Sequence, residues 1–367
     1  MIKKLYIHNY RCFENFEFST EEKAVLLIGK NGSGKSTIRD ALGIFQKIGR
    51  QINNIDHLLS KKDFSKGRIN TPIRFELEVL IKEQIYKYNL AFELPKNFSR
   101  IRILEENLLL DNEEIFTRKE AQVILYRQKS QSQFVVDWHL IALPLIHSPI
   151  EVDPLSIFKK FLSDMVLLLP IPSQIGGYAK EESLQLTLHA DNFAEWLSGI
   201  LTLYPAAYSL IYDYLKKGPM PDIQDFRGER EGKDSKNWKV TFSNEKEELS
   251  VDFESLSEGE KIYFICATLI AANKFYGPIF CFWDEPDNYI LPSEIKHLIT
   301  ELKKSFNTSG QIWISSHDIL TIEAFSSNNT FVLRRKSHIE PVRIKLLEEI
   351  KTYNVSDSVV IGDIFHE

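Results

Sequence analysis

The chain has 367 residues, a length typical of one large domain or of two interleaved domains. Hydrophobic residues make up 43% and charged residues 26% of it, which excludes a disordered, collagen-like or coiled-coil protein. The net charge of −6 argues against nucleic-acid binding through an overall basic surface but leaves a local basic groove open. Three cysteines are too few and too scattered to predict a disulfide framework or a zinc site.

The apolar stretches fall far short of the about 18 to 20 residues needed to cross a bilayer. The start of the chain also lacks the pattern of a signal peptide. We therefore expect a cytoplasmic protein without a membrane partner.

The first part of the chain shows mainly strand periodicity. Apolar residues alternate between Ile2 and Phe18, which predicts two short strands. The fully apolar run Ala24–Ile28 predicts a strand buried on both faces of a parallel sheet. Alternation returns in four further segments, which predicts an antiparallel meander: residues 73–79, 85–92, 121–126 and 133–140.

The later part of the chain mixes helical and strand patterns. A helical period over Pro154–Lys217 predicts a helical insertion, and the prolines, glycines and charges of Gly218–Asn237 predict an exposed loop. Beyond this loop the pattern predicts, in order, a helix over 257–274, a strand over 279–283, a helix over 294–306 and a strand over 311–315.

These patterns predict an α/β protein with a mostly parallel core sheet, an antiparallel β subdomain and a helical insertion. We place a first lobe over residues 1–150, the helical insertion and its exposed linker over 151–235, and a second lobe over 236–367.

A phosphate-binding loop connects the apolar strand to the helix after it. Its glycines let the backbone wrap around phosphates, its lysine adds a positive charge, and the hydroxyl of Ser36 suits Mg²⁺. The loop predicts a nucleotide site made of Gly29, Lys30, Asn31, Gly32, Ser33, Gly34, Lys35, Ser36 and Thr37.

Two acids end the predicted strand 279–283, where open parallel sheets bind ligands. We expect Asp284 to hold Mg²⁺ and Glu285 to activate the attacking water. The next predicted strand ends close to His317, whose imidazole is placed to sense a γ-phosphate or to contact that water.

The segment Ser255–Lys261 precedes an apolar helix. By itself it predicts an ordinary capping box, with Ser257 as the N-cap and Glu260 at the third helical position. A helix N-terminus also binds anions, so a second subunit could use this one for its own nucleotide.

Taken in order, these motifs resemble those of the ATP-binding-cassette class of ATPases. The resemblance makes Gly29–Thr37 the Walker A loop, Leu256–Glu260 the signature, Ile279–Glu285 Walker B and His317 the switch histidine. It implies a head-to-tail dimer that holds two ATP molecules, in which Ser257, Gly259 and Glu260 bind the partner's nucleotide. The usual signature Leu-Ser-Gly-Gly-Gln is altered here by two glutamates, at positions 258 and 260.

Three features point to one branch of that class. Ser257 lies 221 residues after Ser36, which argues against a transporter ATPase. The opening Ile2–Phe13 resembles the start of the RecF, SMC and OLD-like ATPases, and this resemblance makes Arg11 a nucleotide-binding candidate. The segment Asp284–Pro292 resembles that of the OLD-like and Septu PtuA-like ATPases, with Leu291 in place of the usual histidine.

The resemblance extends to cofactors and partners. It implies ATP and Mg²⁺ as cofactors, with Gln174 as a candidate glutamine that links the metal site to the helical insertion. Full OLD nucleases carry a TOPRIM domain, and the 50 residues after His317 are too few for one, so we expect any nuclease to be a separate chain.

We therefore expect an ATPase that dimerises on ATP as the sensor or regulatory subunit of a bacterial anti-phage defence complex with a separate effector, such as a nuclease. Two alternatives stay open. One is a RecF-like ATPase of DNA repair or recombination, with nucleic acid as its partner. The other is a scaffold that binds ATP without hydrolysing it.

Overall fold

The structure is a computed structural model that describes residues 1–127, 130–147, 153–232 and 235–350. These residues form two compact units, which we describe separately. The first unit contains the described residues of 1–22, 29–165 and 331–346, and the second contains those of 23–28, 166–330 and 347–350.

Strands and helices both contribute to the fold, as the sequence predicted. The strands are β1 (Ile2–His8), β2 (Phe16–Ser19), β3 (Ala24–Ile28), β4 (Ile73–Ile81), β5 (Gln84–Glu93), β6 (Arg102–Leu110), β7 (Glu113–Lys119), β8 (Gln122–Arg127), β9 (Ser130–Val135), β10 (Val166–Leu168), β11 (Tyr178–Ala179), β12 (Ile223–Glu231), β13 (Ser235–Ser243), β14 (Glu248–Asp252), β15 (Phe280–Asp284), β16 (Gln311–Ser315), β17 (Thr330–Arg334) and β18 (Arg343–Leu346). The helices are α1 (Lys35–Gly49), α2 (Ala142–Leu145), α3 (Pro154–Ser163), α4 (Phe193–Leu203), α5 (Ala207–Lys217), α6 (Glu258–Phe275), α7 (Pro292–Thr308) and α8 (Ile319–Glu323). Within the described ranges, every helix is too short or too polar to cross a bilayer.

The first unit is built on an eight-stranded antiparallel sheet in the order β2-β1-β4-β5-β6-β7-β8-β9. In β4, buried apolar residues alternate with half-buried ones because successive side chains point to opposite faces of a strand. This alternation predicted β1, β2, β4, β5 and β8 correctly. It missed β6 and β7, because buried Glu106 interrupts the apolar pattern of β6.

The predicted strand over 133–140 was wrong beyond Val135, where β9 ends. The chain turns at Asp137, whose carboxylate accepts the backbone N–H of His139 at 2.7 Å. A short polar side chain that bonds two residues ahead in this way favours a turn over a strand.

Glu106 on β6 joins several parts of the first unit from a completely buried position. Its carboxylate accepts the Tyr88 hydroxyl at 2.8 Å and the backbone N–H groups of Ala142 and Leu143 at 2.7 and 2.8 Å, so it caps α2. The equally buried guanidinium of Arg118 on β7 lies 3.3 Å from the same carboxylate. A buried charge is tolerated only when it is paired and hydrogen-bonded, as Glu106 is.

We predict that Glu106→Gln lowers the free energy of unfolding by about 3 kcal/mol, because the buried Arg118 charge loses its partner. Urea denaturation measures this change. Glu105→Gln is the matched control: Glu105 lies on the same strand in a half-exposed pair with Arg74, so its substitution should cost less than about 1 kcal/mol. Equal costs for the two variants would contradict the prediction.

The core of the second unit is a parallel sheet in which the strands follow the order β10-β15-β16-β3. All five residues of β3, of β15 and of β16 are buried, as the continuous apolar runs predicted. The four strands are parallel, so their carboxyl ends lie at one edge of the sheet. Helix α6 is buried along most of its length, from Lys261 to Asn273.

The prediction of an exposed loop over 218–237 holds for the turn at residues 218–222 but was wrong for the described residues from Ile223 onward, which are strand apart from Gly232. β12 pairs with β13 from Ile223 opposite Phe242 to Glu231 opposite Ser235. Phe226 and Trp238 are buried, and the Trp238 indole N–H donates to Ser198 Oγ at 3.0 Å. The charged residues of β12 and β13, which suggested a loop, alternate along the strands with buried apolar residues. The predicted helical insertion does contain α3, α4 and α5.

Candidate functional site

The phosphate-binding loop leads directly into α1, the first helix of the first unit. α1 begins at Lys35, with Gly34 as its N-cap residue at φ 106°. The first backbone bond runs from Ile38 N–H to the Gly34 carbonyl at 3.1 Å. The N–H groups of the first turn therefore have no acceptor within the helix, and together with the helix dipole they form an anion site.

Two glycines of this loop are crowded: Gly29 has no room for a side chain, and Gly34 has little. A Cβ on Gly29 would lie 2.5 Å from Ser33 Oγ and 2.6 Å from the Leu333 carbonyl oxygen. A Cβ on Gly34 would lie 3.1 Å from the Phe13 ring. Gly32 also has a positive φ of 79°, but no atom lies within 4 Å of its Cβ position. The loop thus needs Gly29 for space, and Gly34 for its positive φ in a position with little room to spare.

Two polar side chains point to an anion in this loop. The buried Lys35 ammonium donates to the Gly29 carbonyl across the loop at 2.7 Å. The Ser33 hydroxyl is buried and has no hydrogen-bond partner among the described residues. An orphaned hydroxyl and a cation beside a helix N-terminus fit the phosphates of a nucleotide.

Arg11 lies beside the same helix. Its guanidinium contacts Asp63 at 2.8 Å and Asp40 on α1 at 2.5 Å. Burial opposes the charge of Arg11, but the hydrogen bonds to these two carboxylates raise its pKa above the ordinary value. Next to it, the half-buried Cys12 thiol lies 3.6 Å from the Thr37 hydroxyl, and burial raises the pKa of that thiol.

We predict that Gly34→Ala lowers the affinity for ATP at least about tenfold, because the new methyl group must displace the Phe13 ring and strain the loop. Gly32→Ala is the matched control: it meets no neighbour, so it should cost only the left-handed backbone penalty of about 1 kcal/mol, about fivefold in affinity. Titration with a fluorescent ATP analogue compares them. Equal losses would show that crowding at Gly34 is unimportant.

In the second unit, two acids follow β15 at the carboxyl edge of the parallel sheet. Asp284 is buried, pairs in register with Ser315 on β16, and accepts a hydrogen bond from the Ser315 hydroxyl. A buried carboxylate fixed in this way supplies the hard oxygen ligand that Mg²⁺ prefers.

Glu285, the residue after Asp284, has an unusual backbone conformation. Its φ is 53°, unusual for a residue other than glycine, and its N–H donates to the Ser315 carbonyl at 3.0 Å. One carboxylate oxygen lies 3.2 Å from Nδ1 of His317, and the other accepts the Asn288 amide at 2.9 Å. The structure thus brings Glu285 and His317 together.

Sequence reasoning missed Asp287, which bonds to Ser316, the residue before His317. Its Oδ2 accepts the hydroxyls of Ser316 at 2.5 Å and of Thr321 at 3.1 Å, while its Oδ1 is buried without a partner among the described residues. Burial raises the pKa of Asp287. The Ser316 hydroxyl also accepts the N–H of Asp318 at 2.9 Å, so the network fixes the loop that carries His317. The only sequence signal was the position of Asp287, three residues after Asp284.

The signature segment caps α6. The hydroxyl of Ser257 accepts the N–H of Glu260 at 3.4 Å, and the Glu260 carboxylate accepts both the N–H and the hydroxyl of Ser257 at 2.7 Å. Gly259 lies close to the loop after β15, since a Cβ there would be 3.2 Å from the Tyr289 carbonyl oxygen. The predicted capping box is therefore present.

Gln174 lies exposed in the short turn Pro172–Gln174 after β10. The last residue of β10, Leu168, pairs with Trp283, so this turn starts at the sheet edge that carries Asp284. Lys261 at the start of α6 donates to the Pro172 carbonyl at 3.3 Å. The turn is thereby tied to the signature helix. A metal-binding role of Gln174 stays a prediction.

The first unit thus carries a phosphate-binding loop, and the second carries a strand that ends in two acids with a histidine after the neighbouring strand. These features, together with the comparisons, support an SMC- and RecF-like member of the ABC class of P-loop proteins. The chain belongs to the family described as "AAA domain, putative AbiEii toxin, Type IV TA system", whose model matches residues 25–323. Residues 2–45 also match the model of the "P-loop containing region of AAA domain".

Solved structures share the fold. An SmcHead bound to the C-winged helix domain of ScpA has a TM-score of 0.60 at 13% identity and covers 95% of this chain and 99% of its own. An Smc head domain with an extended coiled coil, bound to the C-terminal domain of ScpA derived from Pyrococcus furiosus, has a TM-score of 0.55 at 13% identity and covers 99% of both chains. These likenesses confirm the predicted ABC ATPase head fold.

Curated relatives match shorter segments. The DNA double-strand break repair Rad50 ATPase of Methanosarcina mazei is 33% identical over 102 residues, which are 26% of this chain and 9% of the relative. The DNA replication and repair protein RecF of Rickettsia massiliae is 41% identical over 49 residues, 12% of this chain and 14% of the relative. The chain therefore matches only a small part of either protein's length.

Proposed function

We propose that this protein binds ATP with Mg²⁺ and hydrolyses it. The observation that carries the proposal is the contact between Glu285 and His317 at the carboxyl edge of the parallel sheet, next to the buried carboxylate of Asp284. Membership of an AAA-domain family supports the same reaction.

In the proposed reaction, the first turn of α1 and Lys35 hold the phosphates. Ser36, Asp284 and Gln174 are the candidate residues to hold Mg²⁺, which neutralises charge on the phosphates when it is bound.

Glu285 accepts a proton from the attacking water. His317, at 3.2 Å from Glu285, donates toward the developing charge and keeps the carboxylate in place.

We predict that Glu285→Gln lowers kcat for ATP hydrolysis by about 10² to 10⁴, because the amide cannot accept the proton of the water. ATP affinity should change little. Phosphate release and nucleotide titration measure the two effects. Glu301→Gln, a change of the same type on the surface of α7, should leave turnover at the wild-type rate. Full turnover in Glu285→Gln would exclude Glu285 as the base.

We also propose an ATP-dependent head-to-tail dimer, in which Ser257, Gly259 and Glu260 contact the partner's nucleotide. The position of Ser257 at the N-terminus of α6 supports this role. The mass of Glu285→Gln should then double when ATP is added, and light scattering measures this change. A mass that does not change with saturating ATP would contradict this part of the proposal.

The finer proposal is a sensor or regulatory subunit of an anti-phage complex with a separate effector. The family description, with its toxin and type IV TA system, gives it general support. Purifying the tagged protein from a host that expresses the neighbouring genes tests it: an effector that co-purifies and acts only when Lys35 is intact is the expected result. Full effector activity with Lys35→Ala would oppose the proposal.

A RecF-like role in DNA repair is the second candidate, favoured by the matched segments of Rad50 and RecF. It predicts that double-stranded DNA raises the rate of ATP hydrolysis. This stimulation should fall steeply between roughly 50 and 200 mM salt, because DNA binding releases counterions and is therefore weakened by added salt. Turnover measured with and without DNA over this salt range separates the two candidates. A hydrolysis rate that is the same with and without DNA favours the role as a regulatory subunit. No measurable hydrolysis under either condition would favour the scaffold that binds ATP without hydrolysing it.

A further inference from the structure

β9 is the outermost strand of the antiparallel sheet in the first unit. It pairs with β8, from Gln122 opposite Val135 to Arg127 opposite Ser130, and the described part of the chain places no strand on its other side. Five of its six residues are exposed, and Val135 is 76% exposed. An edge of this kind presents unpaired backbone groups to a further strand.

The register identifies which backbone groups point outward. Just beyond β9, the Val136 N–H donates to the Ala121 carbonyl at 2.9 Å, so these two residues form a hydrogen-bonded pair. Such pairs alternate along an antiparallel ladder, so Phe134 and Ser132 also bond to β8. The residues between them direct their N–H and carbonyl groups away from β8: they are Gln131, Gln133 and Val135.

β9 also lacks the charges that protect other edges of this protein. Its sequence, Ser-Gln-Ser-Gln-Phe-Val, contains no charged residue. The opposite edge strand β2 carries Glu17, and the edge strand β14 carries Glu248 and Asp252. Charged edge residues prevent strands from pairing between molecules, and β9 has none.

We propose that β9 pairs with β9 of a second copy of this chain in antiparallel orientation. A neutral strand attracts neither an acidic nor a basic peptide, whereas two neutral copies meet without like-charge repulsion. One symmetric register pairs all the outward groups: Gln133 lies opposite Gln133 of the second copy, and Gln131 opposite its Val135. The three pairs form about six backbone hydrogen bonds.

This contact goes beyond the proposed ATPase function, because it uses no residue of the nucleotide site. It forms without ATP, so it can be separated from the proposed ATP-dependent dimer. With both contacts present, two ATP dimers would join through β9 into larger assemblies.

The first test is the mass of the nucleotide-free protein by sedimentation over a range of concentrations. We expect a dimer whose dissociation constant rises at least about tenfold in Gln133→Pro, because proline removes one outward N–H and none of the bonds to β8. Gln133→Thr keeps the N–H and should dimerise like the wild type. A wild-type protein that stays monomeric, or a Gln133→Pro dimer of unchanged affinity, would overturn the proposal.

Cysteine crosslinking tests the register independently of proline's effect on folding. In Gln133→Cys the two new thiols face each other across Cα atoms about 5.5 Å apart, within the range of a disulfide. In Gln131→Cys the equivalent atoms lie about 14 Å apart, from a rise of about 3.4 Å per residue. Mild oxidation should therefore crosslink Gln133→Cys but neither Gln131→Cys nor the wild type. Equal crosslinking of the two variants would overturn the proposed register.

Discussion

The chemistry of the second unit depends on the register between two parallel strands, β15 and β16. Because Asp284 pairs with Ser315, the Ser315 hydroxyl reaches the Asp284 carboxylate and the Ser315 carbonyl accepts the N–H of Glu285. His317 follows two residues later and contacts the Glu285 side chain. A slip of one residue would turn the side chains of the shifted strand to the opposite face of the sheet and separate Ser315 from Asp284. The hydrophobic burial of both strands therefore also fixes the polar site at their ends.

Backbone strain at Glu285 and burial of Asp287 both cost folding free energy, and hydrogen bonds from neighbouring residues offset that cost. Glu285 adopts a left-handed backbone conformation, which costs about 1 to 2 kcal/mol and is held by its bond to Ser315. Asp287 is buried, and its raised pKa shows that the surroundings disfavour its charge. The hydroxyls of Ser316 and Thr321 compensate by bonding to its carboxylate. Strain and buried charge thus concentrate around the residues proposed for hydrolysis, as is common at functional sites.

The sequence predicted structure correctly where that structure depends on residues that are close together in the chain. The apolar runs of β3, β15 and β16 and the capping box at Ser257 are local patterns, and the structure confirms them. It was uninformative where partners are distant in the chain. Glu106 bonds to Ala142, which lies 36 residues further along the chain. The sequence did not predict β12, because its many charged residues resemble those of a loop. Asp287 depends on Thr321, 34 residues further on, and no local pattern reveals that pair.

The capping box at Ser257 has an energetic consequence for any anion that approaches α6. The N–H and the hydroxyl of Ser257 already bond to the Glu260 carboxylate, so the helix start carries a negative partner of its own. A phosphate that bonds to Ser257 would have to displace that carboxylate, whereas the N–H groups of Glu258 and Gly259 have no acceptor within the helix. The net gain is the difference between two charge-assisted bonds, which is smaller than either. Ser257 therefore adds less to phosphate binding than the same residue would at a helix start without a capping box.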